Sequence, residues 1–206
     1  MTLSMTTQLA LFDCGPRVLV DDETGRIAYY PNVFDPGEAM QLFHWLLDNA
    51  PWSSETMWMY DKMVDVPRLV ARFAGDNLPP PLEGARERVA EFLGERFTSV
   101  GLNYYRDGRD SVAWHNDHLE DLPPQPTIAL LSLGATRRMQ VRTKRRPRIV
   151  HSVDLDAGSL FVMSGRSQEF WEHTIAKSPR PTDARISVAF RPRFLGNVSQ
   201  HEQPQD

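Results

Sequence analysis

The sequence predicts a mostly β (α+β) domain, its strands forming a closed barrel or two-sheet jelly roll with two N-terminal helices packed outside as buttresses. Three observations carry that expectation. A chain of 206 residues that is 41% apolar and 10% aromatic has enough apolar material for one compact core. Two amphipathic helix patterns fall in its first half. Up to eight short strand-like runs, separated by Gly, Pro or charged turns, crowd its second half.

Taken in order, residues 1–16 are polar and patternless, an expected flexible arm. Strand-like runs follow at 17–20 and 26–30. Asp35-Pro36-Gly37-Glu38 then reads as a helix start, with Asp at the cap, Pro at the first helical position and Glu where the helix dipole favours an acid. Met40, Phe43, Leu46 and Leu47 recur at helical spacing, so one face should cover a sheet; the helix should stop near Asn49, before Pro51. Pro79-Pro80-Pro81 breaks the chain, after which Leu82, Ala85, Val89, Phe92 and Leu93 trace a second amphipathic helix ending near Gly94. From Phe97 onward the texture is β, with runs at 99–105, 111–115, 127–133, 139–143, 149–155, 159–163, 172–175 and 185–190.

Composition excludes several classes. The apolar stretches fall far short of the roughly 20 residues that cross a bilayer. The first ten residues lack the charged and apolar regions of a signal peptide, so the chain reads as cytoplasmic, with no membrane partner. Cys14, the single cysteine, allows no internal disulfide. No heptad or long apolar edge points beyond a monomer. The net charge of −4 hides an asymmetry: residues 1–100 carry 8 Lys/Arg against 15 Asp/Glu, and residues 101–206 carry 15 against 12. Arg137, Arg138, Arg142, Lys144, Arg145, Arg146 and Arg148 form a strip with no acid between them. Two readings stand side by side: a grip on a phosphate backbone, centred on Arg142, Arg145 and Arg146, or a hairpin whose arginines splay into water.

The chemistry-bearing constellation starts at His115-Asn116-Asp117, where an imidazole and a carboxylate at i and i+2 share one face of a strand. His173, on a later strand, is the natural third ligand. Two His and one carboxylate on one side of an ion make the facial triad of non-haem Fe(II) oxygenases. The same donors would also serve a zinc hydrolase, but that chemistry does not need Arg185 and Arg191. Those two lie at i and i+6 on the last strand and share a face. Two inward guanidiniums need anions: the carboxylates of a dicarboxylic keto acid, or acids of the chain itself such as Asp117 or Asp183.

Together these residues resemble a known family, the AlkB-type Fe(II)/2-oxoglutarate-dependent dioxygenases that demethylate alkylated nucleic acids. The likeness covers roughly residues 66–194 and is strongest from Asn103 onward. Asn103-Tyr104-Tyr105-Arg106-Asp107-Gly108 and Asp110-Ser111-Val112-Ala113-Trp114-His115-Asn116-Asp117 resemble the family's run into its first two iron ligands. Ser132-Leu133-Gly134-Ala135-Thr136-Arg137 is similar to its next strand and turn. Gly158-Ser159-Leu160 with Trp171-Glu172-His173 resembles the approach to the third ligand, and residues 185–191 the closing strand.

The resemblance implies a double-stranded β-helix over residues 17–195, with a substrate lid at about 52–80, a catalytic β core at 97–195 and a disordered tail at 196–206. It implies Fe(II) on His115, Asp117 and His173, with 2-oxoglutarate and O2 as cosubstrates. Arg185, helped by Tyr105, would hold the distal carboxylate; Asn103 and Arg191 would hold the metal-proximal end, and Ser187 would belong to the cosubstrate site. Oxidation of an N-methyl carbon then releases formaldehyde and restores a base such as N1-methyladenine or N3-methylcytosine. That is the chemistry of DNA repair, with alkylated DNA or RNA as partner. The alternative is an oxygenase of the same fold acting on a protein, lipid or free nucleoside.

Because such a methyl group is hidden in a duplex, the nucleotide must be flipped out or single-stranded. Tyr60 stands where duplex-acting members carry an aromatic finger, and Arg68, in Val66-Pro67-Arg68, is a candidate backbone or base contact; Tyr60, like Trp58, Met59 and Met63, equally suits the core. Three departures bear on substrate and cosubstrate. Ser187 replaces an Asn, His118-Leu119-Glu120 replaces the acids that follow the metal Asp, and Asn77-Leu78 with three prolines replaces the lid's aromatic pair. Base contacts would then fall to His118 and Glu120, and stacking to His115 and Phe73. Finally, Gln8-Leu9-Ala10-Leu11-Phe12 resembles the peptide by which bacterial repair proteins dock on the sliding clamp, Gln8 setting register and Leu11 and Phe12 filling pockets, with Leu9 part of the same docking peptide. A strand or core anchor would look the same.

Overall fold

The computed structural model describes residues 15–59, 62–74, 77–117, 120 and 122–192. Within them β1 (Arg17–Asp22) and β2 (Gly25–Tyr30) form a hairpin, followed by α1 (Pro36–Asn49), β3 (Ser53–Met59), β4 (Lys62–Ala74) and α2 (Pro80–Leu93). Then come β5 (Ser99–Tyr105), β6 (Val112–His115), β7 (Ile128–Gly134), β8 (Arg137–Thr143), β9 (Val150–Leu155) and β10 (Leu160–Ser164). A one-turn helix α3 (Ser167–Phe170), β11 (Trp171–Ile175) and β12 (Arg185–Arg191) complete the order. No helix among the described residues is long and apolar enough to cross a membrane.

The strands make two antiparallel sheets, an eight-stranded one ordered β1-β2-β10-β7-β12-β5-β4-β3 and a four-stranded one ordered β6-β11-β8-β9. This is the expected jelly roll. The period of two along each strand divides the apolar residues of the large sheet between two cores. Leu102, Leu131, Leu133, Leu160, Ile186, Val188 and Phe190 face Leu42, Leu46, Leu82 and Val89 of the helices. Ile128, Leu130, Phe161 and Ala189 face Met139, Val141, Val153 and Leu155 of the small sheet. On β12 the consequence is chemical: Ile186, Val188 and Phe190 point to the helices, whereas Arg185, Ser187, Ala189 and Arg191 point between the sheets.

Both helix starts and stops follow local chemistry. The Asp35 side chain accepts from the N–H groups of Gly37 and Glu38, and Glu38 accepts in return from the Asp35 N–H, a reciprocal cap. Gly94 ends α2 in the left-handed conformation at φ 68°. The buried stripes are narrower than expected. On α1 they comprise Ala39, Leu42 and Leu46, while Met40 is 58% exposed; on α2 Phe92 is 48% exposed and meets Tyr30 edge-on with centroids 5.3 Å apart.

The expected lid region holds the two strands that close the large sheet's edge, an extension the sequence pattern hides behind Pro67. That residue falls between the two paired stretches of β4: Asp65 lies opposite Thr56 and Leu69 opposite Ser54, and pairing with β5 begins only at Leu69. A bulge is where a residue without an N–H donor is tolerated. The freed Pro67 carbonyl accepts from the Ser111 N–H at 2.9 Å, bringing the lead into β6 beside β4.

Gly134, at the end of β7, has φ +80°, and a Cβ there would lie 2.5 Å from the Ala184 carbonyl oxygen and 2.7 Å from the Phe43 ring. Left-handed strain and overpacking therefore add. Gly134→Ala is expected to lower stability by about 2–4 kcal/mol, read as the shift of the urea midpoint at unchanged slope.

Candidate active site

The small sheet brings the two imidazoles together. β11 pairs antiparallel with β6 so that His173 lies directly opposite His115, and their ring centroids are 4.2 Å apart. The His115 Nδ1 is 2.9 Å from the Ala113 carbonyl, to which it donates, and this leaves Nε2 as the free lone pair. Burial, reinforced by the neighbouring His115, pushes His173 down to about 3. Burial also lowers His115. Both rings are therefore neutral near pH 7, the form that ligates a metal.

Asp117 follows β6 and is buried between the sheets. Burial alone would raise its pKa, but the Arg191 guanidinium holds it at about 2. Arg191 donates Nε to Oδ2 and Nη2 to Oδ1, each at 3.0 Å, a two-pronged pair. The expectation that Arg191 would pair in part with Asp117 agrees with this geometry. Two neutral imidazoles and a carboxylate are a donor set suited to Fe(II). Among the described residues, however, no three His, Cys, Asp or Glu side chains already converge as a metal cage. The Asp117 carboxylate faces Arg191, and a cation would have to share it.

The inner face of the large sheet carries a second group of interest, a buried guanidinium. Arg185 is fully buried, and its Nη2 donates to the Ser132 Oγ at 2.9 Å. Its Nε and Nη1 are buried with no hydrogen-bond partner. Burial lowers Arg185 to about 10, so it stays charged at neutral pH. Its guanidinium lies 5.3 Å from the centroid of the Tyr105 ring, the neighbour the sequence assigns to it, with Arg137 5.6 Å from the same centroid. Asn103 and Ser132 flank Ser187 in register. A buried guanidinium with two unused donors fits a carboxylate.

Several predicted contacts sit elsewhere. Arg68 donates its Nε to the Asn103 Oδ1 at 2.7 Å rather than reaching outward. Phe73, expected to stack on a base, instead packs against the helix-side core, because it shares a strand face with Ala71. Glu120 is exposed. Tyr60 and His118 lie outside the described residues, as does the peptide Gln8, Leu9, Ala10, Leu11 and Phe12.

The basic strip is mostly paired. Arg142 and Arg148 share Glu172, Arg142 also stacking 3.9 Å above the Trp114 ring centroid, and Arg138 pairs with Asp154. Arg137 is buried, donating to the carbonyls of Asp107, Asp110 and Ala176. Lys144 donates to the Gln168 carbonyl at 2.6 Å. Arg145 and Arg146 are exposed. The sequence reading missed Ser132 and Gln168. The alternation of residues 127–133 does place Ser132 on the inner face, but nothing local marks Gln168.

Comparison with known proteins places this geometry in a family. The family described as 2OG-Fe(II) oxygenase superfamily matches residues 65–191. The chain is 31% identical over 191 residues to the alpha-ketoglutarate-dependent dioxygenase alkB homolog 3 of Homo sapiens, with 81% of this chain aligned and 65% of that protein's length spanned. It is 30% identical over 186 residues to the DNA oxidative demethylase ALKBH2 of Mus musculus, covering 79% of this chain and 78% of the relative. The crystal structure of an oxidoreductase of the 2OG-Fe(II) oxygenase family from Burkholderia pseudomallei superposes with a TM-score of 0.54 at 16% identity, covering 81% of this chain and 86% of that one. At that identity the likeness speaks for the fold alone.

The neutral burial of His173 sets a pH dependence. Its folded pKa of about 3 lies below the ordinary 6.5, so between those values the unfolded chain binds the extra proton. The urea midpoint of chelator-treated protein is expected to fall as pH drops from about 6.5, and His173→Asn is expected to flatten that fall.

Proposed function

Because the chain belongs to the 2OG-Fe(II) oxygenase superfamily, in its AlkB-type branch, we propose that it is a dioxygenase that uses Fe(II), 2-oxoglutarate and O2 to remove small alkyl groups from nucleic-acid bases. N1-methyladenine and N3-methylcytosine in DNA are the substrates proposed, and repair of DNA damage is the role. The observation that carries the reading is the fully buried Arg185, two of whose donors have no partner, in a fold that also holds two neutral histidines and an ionised aspartate.

His115, Asp117 and His173 would hold the iron, which with its cosubstrates supplies the oxidation of the N-alkyl carbon. Arg185, with Ser132 and Tyr105 around it, would bind the distal carboxylate of 2-oxoglutarate. Asn103 and Arg191 would serve its metal-proximal end, with Ser187 opposite Asn103 in register. Arg191 keeps Asp117 ionised and fixes the plane of its carboxylate. Arg68 donates to the Asn103 amide oxygen and so would orient that amide. The apolar wall of Leu130, Val141 and Ile175 keeps water from the inner side.

The DNA preference rests on the mouse relative, a DNA oxidative demethylase, and on chemistry at the hairpin between β8 and β9. Arg145 and Arg146, exposed and without an ion-pair partner among the described residues, are the cations available to phosphates. Tyr60 remains the proposed wedge, and the peptide Gln8-Leu9-Ala10-Leu11-Phe12 the proposed clamp anchor.

The test is formaldehyde release from methylated single-stranded and duplex oligonucleotides supplied with Fe(II), 2-oxoglutarate and oxygen. Robust release is expected, with Asp117→Ala abolishing it. Arg145→Glu with Arg146→Glu should raise KM for the oligonucleotide several-fold and reduce the log–log salt slope by about 2. Succinate without formaldehyde would instead send the search to proteins, lipids or free nucleosides.

A further inference from the structure

Asp117 is the one metal-ligand candidate outside a strand: β6 ends at His115, and no sheet ladder holds residue 117. Its backbone is nevertheless held at both polar groups. The Asp117 N–H donates to the Gln168 Oε1 at 2.9 Å, and the Asp117 carbonyl accepts from the Asn116 Nδ2 at 2.9 Å. The first of these bonds spans 51 residues and is buried. Gln168 itself is 1% exposed, and its other amide atom, Nε2, lies 3.4 Å from the Met163 sulfur, only a weak acceptor.

The turn that carries Gln168 is in turn fixed from two sides. From below, Gly25 packs so closely that a Cβ there would lie 2.5 Å from the Ser167 N, so the β1–β2 turn sets the height of α3. From the side, Lys144 crosses from the basic hairpin, and its Nζ donates to the Gln168 carbonyl at 2.6 Å. Burial lowers the Lys144 pKa, in keeping with an ammonium drawn in from solvent. A four-residue helix has little rigidity of its own, so these contacts, with the Lys144 N–H donating to the Phe170 carbonyl at 2.9 Å, place it.

We propose that Lys144 and Gln168 form a strut that positions Asp117 for metal binding: Lys144 holds the α3 turn, and the Gln168 amide fixes the backbone of the ligand. Neither residue touches the metal or cosubstrate. The inference rests on the reading of Asp117 as a ligand and goes beyond it, because it assigns part of the metal affinity to a residue of the hairpin and a residue of a turn. The physical reason is that a carboxylate already shared with Arg191 can meet an ion only if its backbone cannot swing away. The strut also ties the strand segment next to the exposed Arg145 and Arg146 to the ligand through two hydrogen bonds.

The test uses Co(II) as the probe, with affinity read by titration of the full chain and coordination read by the visible absorption of the bound ion. Gln168→Met keeps the volume but removes the acceptor, and should weaken Co(II) binding about 10–100-fold and alter the spectrum. Lys144→Met should weaken it several-fold. Met163→Leu, which removes only the partner of the Gln168 Nε2, should leave affinity within about twofold. Unfolding temperatures of the metal-free variants separate packing from positioning. If Gln168→Met and Lys144→Met bind Co(II) like the native chain, or lose affinity no more than Met163→Leu does, the strut is wrong. Should Gln168→Met fail to fold, Lys144→Met decides alone. If Asp117→Ala itself leaves Co(II) binding unchanged, it is the ligand assignment that fails.

Discussion

An arginine buried without a carboxylate is the constraint around which this structure is arranged. Arg185 sits between the sheets with no exposure, its charge met by one serine hydroxyl and the face of a tyrosine. Leaving a guanidinium in that position disfavours the fold unless an anion joins it. Everything near it is consistent with a waiting partner. Ser132 and Ser187 offer hydroxyls rather than acids, and Asp117 is engaged by Arg191.

The strand β12 explains how one element serves packing and chemistry together. Its even positions complete the core beneath α1 and α2, and its odd positions deliver two arginines and a serine to the interior. The pairing partners on either side are matched to that division. Gly101 on β5 has no side chain, and a Cβ there would come within 3.0 Å of the Arg191 Nη1. Tyr105 lies opposite Arg185 on the same strand pair. The small sheet adds the imidazoles from the other side, so the site is closed by two sheets that share no strand.

Much of this was legible in the sequence because it is local. The Asp35 cap, the Gly94 stop, the His-x-Asp spacing and the six-residue separation of Arg185 and Arg191 each follow from the period of one element. What was not legible depends on register. The arginines of the hairpin look free in sequence, yet Glu172 and Asp154 reach them across strands. Phe73 looks available for stacking, yet strand alternation turns it toward the helices. β3 and β4 fill a stretch the sequence reads as a lid, and β4 bulges around Pro67. Gln168 meets Asp117 from 51 positions away, and no periodicity announces such a bond.

The central claim, that Arg185 is the anchor for the far carboxylate of 2-oxoglutarate, is open to direct calorimetric titration. The comparison ligand is 2-oxobutyrate, which keeps the keto acid end and lacks the distal carboxylate. Pairing of a buried charge is worth about 2–5 kcal/mol, so the native chain should prefer 2-oxoglutarate by at least about 30-fold, and Arg185→Gln should erase the preference. Equal binding of the two acids by the native chain, or a preference that survives Arg185→Gln, would contradict the account.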